Sequence, residues 1–83
     1  MIISAKESVR KDLEDLFDKS AEDRRRVWSA VVKAIEAGKY EHLKGNLRMF
    51  YRVRVGNYRA VFTRITGGVL VTRIADRKDV SKE

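Results

Sequence analysis

The sequence predicts an α+β domain in the order β-α-α-β-β-β: a mostly antiparallel sheet with two N-terminal helices packed on one face. Apolar residues recur every three or four positions between residues 6 and 38, which is typical of amphipathic helices. From residue 49 onward the apolar repeat falls to two, the period of strands that bury one side. Because the 83 residues contain no Pro-, Gly- or Ser-rich linker, we expect residues 1–83 to form a single domain.

The first half of the chain supplies one short strand and both helices. Residues 2–4 are a candidate strand. The apolar stripe of the first helix is Val9, Leu13, Leu16 and Phe17. Ser20 followed by Asp23 indicates the N-cap of a second helix, which Gly38 is expected to end.

The second half of the chain is predicted to form three antiparallel strands. Residues 49–55 and 58–65 flank Gly56-Asn57, a pair suited to a two-residue hairpin turn. Residues 66–68 turn the chain again, and residues 69–75 form a last strand rich in β-branched side chains.

The hairpin register sorts the side chains into two faces. One face is apolar and can cover the helices: Tyr51, Val53, Val55, Tyr58, Ala60 and Phe62. The opposite face carries Arg52, Arg54 and Arg59, with Arg54 directly opposite Arg59. Like charges across a strand pair destabilise a sheet, so an anionic ligand such as a phosphate would explain the cluster. The alternative is neutralisation by an acidic protein partner or by scattered carboxylates of the chain.

The charge and composition of the chain narrow the class of protein. The net charge is +7, with nine basic and eight acidic residues in positions 1–40 but ten basic and four acidic in 41–83. This asymmetry favours an anionic partner for the second half, RNA in particular. With no cysteine, no signal peptide and no long apolar run, we expect a cytoplasmic protein without membrane contact.

The region around the hairpin resembles the RelE/ParE toxin superfamily. Residues 42–46 read HLKGN and residues 51–62 read YRVRVGNYRAVF, similar to that family's LKG turn and its YR-R-G-YR-VF hairpin. Arg77, within the ADRKDV of residues 75–80, resembles the arginine of the family's C-terminal HR--VY stretch. The order of helices and strands also agrees, so the resemblance covers nearly the whole chain.

The resemblance implies a toxin of a type II toxin–antitoxin pair that cleaves mRNA, commonly in the ribosomal A site, without a metal or other cofactor. The 2′-hydroxyl would attack the adjacent phosphate and leave a 2′,3′-cyclic phosphate. The implied catalytic residues, which hold the phosphate and its developing charge, are Arg52, Arg54, Arg59 and Arg77. The implied RNA contacts are Lys44, Arg48, Phe50, Arg73, Lys78 and Ser81. Partners would be a cognate antitoxin, mRNA and the ribosome.

Two departures from the family pattern keep other functions open. Ser81 stands nearest to the family's C-terminal tyrosine, and Asp76 replaces the histidine before the arginine. The alternatives are a ParE-like toxin that inhibits DNA gyrase without nuclease activity, or a relative with attenuated cleavage. Phe50 could stack on a base or pack against the C-terminal segment. Arg73 reaches the arginine face only if the last turn has three residues, whereas a two-residue turn puts it on the apolar face.

The single histidine is not a candidate for a metal site. His42 has no cysteine or second histidine to share a zinc ion. It precedes the turn and lies off the arginine face, so we predict a surface or packing role for it.

Overall fold

The computed structural model describes residues 1–76, which form five strands and two helices. Their bounds are β1 Ile2–Ala5, α1 Glu7–Leu16, α2 Ala21–Glu36, β2 Glu41–His42, β3 Phe50–Val55, β4 Tyr58–Ile65 and β5 Gly68–Asp76, with a 3₁₀ turn over Gly45–Leu47. The strand order in the sheet is β1-β5-β4-β3-β2, antiparallel except where β1 pairs with β5. The predicted α+β class is confirmed, and the two-residue strand β2 is an addition that the sequence analysis missed.

Helix α2 begins and ends with the capping residues that the sequence predicted. The Ser20 hydroxyl oxygen accepts a hydrogen bond from the Asp23 amide at 3.1 Å, which satisfies one of the free donors at the start of the helix. Gly38 takes a left-handed φ of 75° and donates its amide to the Ile35 carbonyl at 3.1 Å. Glycine suits this position because other side chains rarely adopt that φ. No helix within residues 1–76 is long and apolar enough to cross a membrane.

The core lies between the helices and one face of the sheet. Its buried residues are Val9, Val27, Val31, Ile35, Val53, Ala60, Phe62, Val69, Val71 and Ile74. All six residues of the predicted apolar face belong to this core or pack against it. Both helices contribute to this side of the sheet, so the opposite side, called the open face below, carries no helix from residues 1–76.

A β-bulge brings Arg73 to the open face. The last turn has two residues, 66 and 67, because Ile65 pairs with Gly68. A regular ladder from that turn would put Arg73 opposite Ala60 on the core side, but a bulge beside Val61 makes Arg73 the partner of Val61. The expectation that Arg73 reaches the arginine face only with a three-residue turn is therefore wrong, because the bulge brings it there after a two-residue turn.

Side chains of α1 complete the outer edge of β5 where β1 stops. The Ser8 hydroxyl donates to the Thr72 carbonyl at 2.7 Å, and Asp12 Oδ2 accepts the Ile74 amide at 3.0 Å. These bonds replace the ladder that a longer β1 would have made. They also leave this stretch of edge unavailable to another strand.

Replacing Asp12 with alanine is expected to lower the free energy of unfolding by about 1–3 kcal/mol, because the Ile74 amide would lose a charged acceptor. The Asp12 side chain is only 17% exposed, so water would replace it poorly. Urea denaturation measures the effect. Asp15→Ala, an exposed change on the same helix, is the control and should shift stability by less than about 0.5 kcal/mol. Equal effects of the two substitutions would contradict this role for Asp12.

Candidate nucleic-acid interface on the open face

Three arginines of β3 and β4 lie together on the open face, in the predicted register. Arg54 is the direct partner of Arg59, and Arg52 stands opposite Val61. Directly paired residues have Cβ atoms about 5 Å apart, and alternate residues of one strand are about 6.8 Å apart. The three arginines therefore lie close enough on this face to form one cationic cluster.

A small cleft beside the hairpin turn adds shape to this cluster. Arg54, Gly56, Tyr58 and Arg59 line a space of about 210 Å³. Two of its four lining residues are guanidinium side chains, whose planar forks match the oxygens of a phosphate. The cleft is thus suited to an anion rather than to an apolar ligand.

Glu41 is the site residue that sequence reasoning missed. β2 pairs Glu41 with Arg52, which places its carboxylate on the open face among the arginines. Glu41 Oε2 lies 2.7 Å from Arg52 Nη2, and Oε1 lies 3.9 Å from Arg54 Nη2. The position of Glu41 just before the LKG turn was the only hint that it could pair with β3. A strand of two residues is too short to show an alternation of apolar and polar side chains, so the sequence did not reveal it.

Within residues 1–76, the carboxylate of Glu41 neutralises part of this cluster. Within the strands of residues 1–76, the other acidic residue is Asp76, which pairs with Tyr58 in the row that faces the core side. The alternative of neutralisation by the chain's own carboxylates is therefore realised in part, by the contacts of Glu41 with Arg52 and Arg54. Arg54 remains 60% exposed, available to a ligand.

The arginines keep Glu41 ionised. The hydrogen bond from Arg52, followed by the positive charges of Arg54 and Arg52, lowers the pKa of Glu41 below its usual value. Because the folded-state pKa is lowered, the ion pair stabilises the fold above the ordinary carboxyl pKa of about 4.3, and this contribution disappears as the pH falls through the lowered pKa. At neutral pH the site thus contains a carboxylate able to accept a proton.

The remaining predicted contacts are spread around this cluster. Phe50 lies on the open face opposite Thr63. Arg73 also faces this side, but its Nε lies 3.3 Å from Asp12 Oδ2 at the sheet edge. Lys44 and Arg48 flank the 3₁₀ turn, where both are exposed. The other three predicted contacts lie outside the described residues: Arg77, Lys78 and Ser81.

His42 lies on the side of the sheet away from the arginines, as predicted. Its ring stacks on Tyr51 with centroids 4.8 Å apart, and its Nε2 hydrogen-bonds to the Arg48 carbonyl. This pair of contacts ties β2 to the end of the loop that carries Lys44. Residues 1–76 contain no group of three His, Cys, Asp or Glu side chains arranged to bind a metal.

The fold is that of the RelE-like toxins, according to comparison with solved structures. The chain is similar to a chain of the toxin–antitoxin complex RelBE2 from Mycobacterium tuberculosis, with a TM-score of 0.72, 18% identity, and coverage of 90% of this chain and 95% of that one. It is also similar to a YoeB/ParE toxin from Agrobacterium tumefaciens, with a TM-score of 0.66, 20% identity and coverage of 92% and 98%. YafQ from Escherichia coli matches with a TM-score of 0.67, 10% identity and coverage of 95% and 96%.

The sequence itself identifies the family. Residues 3–80 match the family model described as the ParE toxin of the type II toxin–antitoxin system parDE. The chain therefore belongs to the ParE toxin family, within the RelE/ParE superfamily. No curated protein sequence matches the chain significantly.

Proposed function

We propose that this toxin is a metal-independent endoribonuclease that cleaves mRNA on the ribosome. The observation that carries the proposal is the arginine cluster of the open face with an ionised carboxylate inside it. Cleavage of RNA by its own 2′-hydroxyl requires a base and fixed positive charge on the phosphorane, roles that we assign to Glu41 and to the arginines of this cluster. A purely structural surface would not need like charges directly opposite each other.

In the proposed reaction, Arg52, Arg54 and Arg59 hold the scissile phosphate. The 2′-oxygen bonds to phosphorus, the bond from phosphorus to the 5′-oxygen breaks, and a 2′,3′-cyclic phosphate and a 5′-hydroxyl result. The negative charge that develops on the phosphorane oxygens lies against the guanidinium groups, which retain their charge throughout.

Glu41 is the proposed acceptor of the 2′-hydroxyl proton. In the free protein the arginines lower its pKa, which makes the carboxylate a weak base. A bound phosphate would oppose the positive charge of the arginines and raise that pKa, so the carboxylate becomes more basic when substrate is present. Arginine is too weak an acid to protonate the 5′-oxygen, so this proton is assigned to water or to a ribosomal group.

The basic residues around the cluster are proposed to hold the rest of the RNA. Lys44 and Arg48 would contact the backbone from their loop, with Arg73 at the opposite edge. The same role is proposed for Lys78 and Ser81, and Arg77 would support the phosphate, as the family resemblance implies.

A cognate antitoxin is the proposed protein partner. The Mycobacterium tuberculosis relative and the RelB-RelE complex of Methanococcus jannaschii are toxin–antitoxin complexes. An acidic segment of the antitoxin would complement the arginine cluster and thereby compete with RNA. Binding would also stabilise this small domain by mass action.

Inhibition of DNA gyrase is the second candidate function, because the family model that matches the chain is that of ParE. The presence of the three arginines and Glu41 on one face favours the nuclease, since a gyrase inhibitor does not require an RNA site.

Induced expression of the chain in bacteria separates the two candidates. We expect growth arrest accompanied by new mRNA 5′-ends at ribosome-bound codons, detected by primer extension within minutes. Plasmid supercoiling, measured in the same cultures, should remain unchanged. Loss of supercoiling without new mRNA ends would instead establish gyrase inhibition and contradict the nuclease proposal.

A further inference from the structure

Glu41 and His42 are the two residues of strand β2, and their side chains point to opposite sides of the sheet. Glu41 pairs with Arg52 on the open face, whereas His42 pairs with Tyr51 on the core side. A strand of two residues is held by few backbone bonds, so its side-chain contacts decide how firmly it keeps its place. The position of the Glu41 carboxylate therefore depends on what holds the chain on either side of it.

Tyr40 holds the chain just before β2. Its ring makes edge contacts with the rings of Tyr51 and Phe62, with centroids 5.4 Å and 5.1 Å apart. Phe62 is only 1% exposed, so these contacts tie the start of β2 to the core. This anchor lies on the N-terminal side of Glu41, and the other side depends on His42 and on the backbone.

The ring of His42 holds the chain just after Glu41. It stacks on Tyr51 with centroids 4.8 Å apart and 21° between the planes, and Tyr51 stacks in turn on Phe62 at 5.1 Å and 16°. The three rings thus form a continuous stack that runs from β2 to the buried core. Because Tyr51 is the cross-strand partner of His42, this stack presses β2 against β3.

The imidazole of His42 makes a second contact, with the loop of residues 43–49. Its Nε2 hydrogen-bonds to the carbonyl oxygen of Arg48, six residues further along the chain. A carbonyl oxygen only accepts hydrogen bonds, so Nε2 carries the proton in this arrangement. The bond closes the loop that carries Lys44 and Arg48, beside the backbone bond from the Leu43 amide to the Phe50 carbonyl at 3.0 Å.

We propose that His42 is a positioning residue of the arginine site, with two separable contacts. The stacked ring holds β2 so that the Glu41 carboxylate stays beside the arginines, and the hydrogen bond holds the loop that presents Lys44 and Arg48 to RNA. The inference rests on the proposed function, in which Glu41 is the base and the two loop cations contact the RNA backbone. Histidine suits both tasks because its aromatic ring carries an N–H donor at the edge.

The pKa of the Glu41 carboxyl group in the free protein, followed by NMR of its side-chain carbon, tests the stack without any cleavage. In the wild type the hydrogen bond from Arg52 and the positive charges of the neighbouring arginines lower this pKa. His42→Ala and His42→Gln remove the ring and should raise the pKa toward the ordinary value of about 4.3. His42→Phe should keep it lowered. Asn46→Ala, an exposed change in the same loop, is the control and should leave it unchanged.

Binding of a short single-stranded RNA, made uncleavable by 2′-O-methyl groups, tests the hydrogen bond. Each phosphate contact with single-stranded RNA contributes about 0.7 to the slope of log affinity against log salt concentration. His42→Phe has no N–H donor, so the slope should fall by roughly 0.7 to 1.4 as one or both loop cations are lost. His42→Gln places an amide N–H near the position of Nε2 and should keep the slope of the wild type.

Cleavage of mRNA on ribosomes should divide the two variants in the same way. His42→Phe should raise KM at an unchanged kcat, because the base stays in place while the loop is released. His42→Gln should lower kcat by about 10²-fold, the loss that a misplacement of about 1 Å can cause. Each of these variants retains one contact, so both test the inference even if His42→Ala unfolds.

The outcomes separate the inference from the proposed function. If the pKa of Glu41 stays lowered in His42→Gln, or the salt slope is unchanged in His42→Phe, His42 does not position that part of the site and the inference is wrong. If each variant changes both quantities, the two contacts are not separable, which also overturns it. If both quantities change as expected but Glu41→Gln cleaves RNA normally, the positioning by His42 is supported and the proposed base is wrong.

Discussion

Replacing both Arg54 and Arg59 with alanine is expected to abolish toxicity and RNA cleavage. Each guanidinium is proposed to stabilise the charge that develops on the phosphorane, and loss of one such donor typically lowers the rate by about 10²- to 10³-fold. The two losses together would bring cleavage below detection. Growth after induction and primer extension on a reporter mRNA measure the two effects.

The single substitution Arg54→Ala separates function from stability. Arg54 and Arg59 are directly opposite like charges, and such a pair destabilises a sheet by some tenths of a kcal/mol. We therefore expect Arg54→Ala to lose activity while its melting temperature stays equal or rises. Arg25→Ala is a control that removes the same charge from an exposed position on α2 and should leave cleavage unchanged. If both variants lost activity equally, the arginines of the open face would matter only through the net charge of the protein, and the proposed phosphate site would be wrong.

Replacing Glu41 with glutamine is expected to move cleavage and affinity in opposite directions. Glutamine keeps the size of the side chain but cannot accept the 2′-hydroxyl proton, and loss of a general base lowers the rate by about 10²- to 10⁴-fold. The same change removes a negative charge from a phosphate site. Two unit charges about 4 Å apart in water interact enough to change affinity roughly fivefold, so uncleavable RNA should bind more tightly at low salt.

The pH profile adds a third measurement on Glu41. Its pKa is lowered in the free protein, so kcat/KM of the wild type should decline only in solutions more acidic than the ordinary carboxyl range. Glu41→Gln should remove that acidic limb. Glu36→Gln, an exposed change of the same kind on α2, should leave the rate, the affinity and the profile unaltered. A fall in both cleavage and affinity would instead assign Glu41 to holding β2 in place.

The hairpin and its faces could be predicted because alternation along strands is a direct physical signal. A slip of one residue would bury Arg52 and expose Val53, so hydrophobic patterning determines which side the arginines occupy. The observed pairing of Arg54 with Arg59 follows from the two-residue turn.

The parts that could not be predicted lack such a signal. The two residues of β2 are too few to show a period, so Glu41 was not placed in the cluster. The bulge that turns Arg73 to the open face is a change in backbone pairing that leaves the alternation of residue types almost intact. The link from Asp12 to the Ile74 amide joins positions 62 residues apart, and sequence spacing does not reveal such contacts.

The chemical ends of the cleaved RNA test the central claim most directly. An mRNA is incubated with ribosomes and the purified toxin, and the fragments are analysed by mass spectrometry. Attack by the 2′-hydroxyl within the arginine cluster predicts a 2′,3′-cyclic phosphate on one fragment and a 5′-hydroxyl on the other. Fragments that carry 3′-hydroxyl and 5′-phosphate ends, or intact mRNA beside an inhibited gyrase, would contradict it.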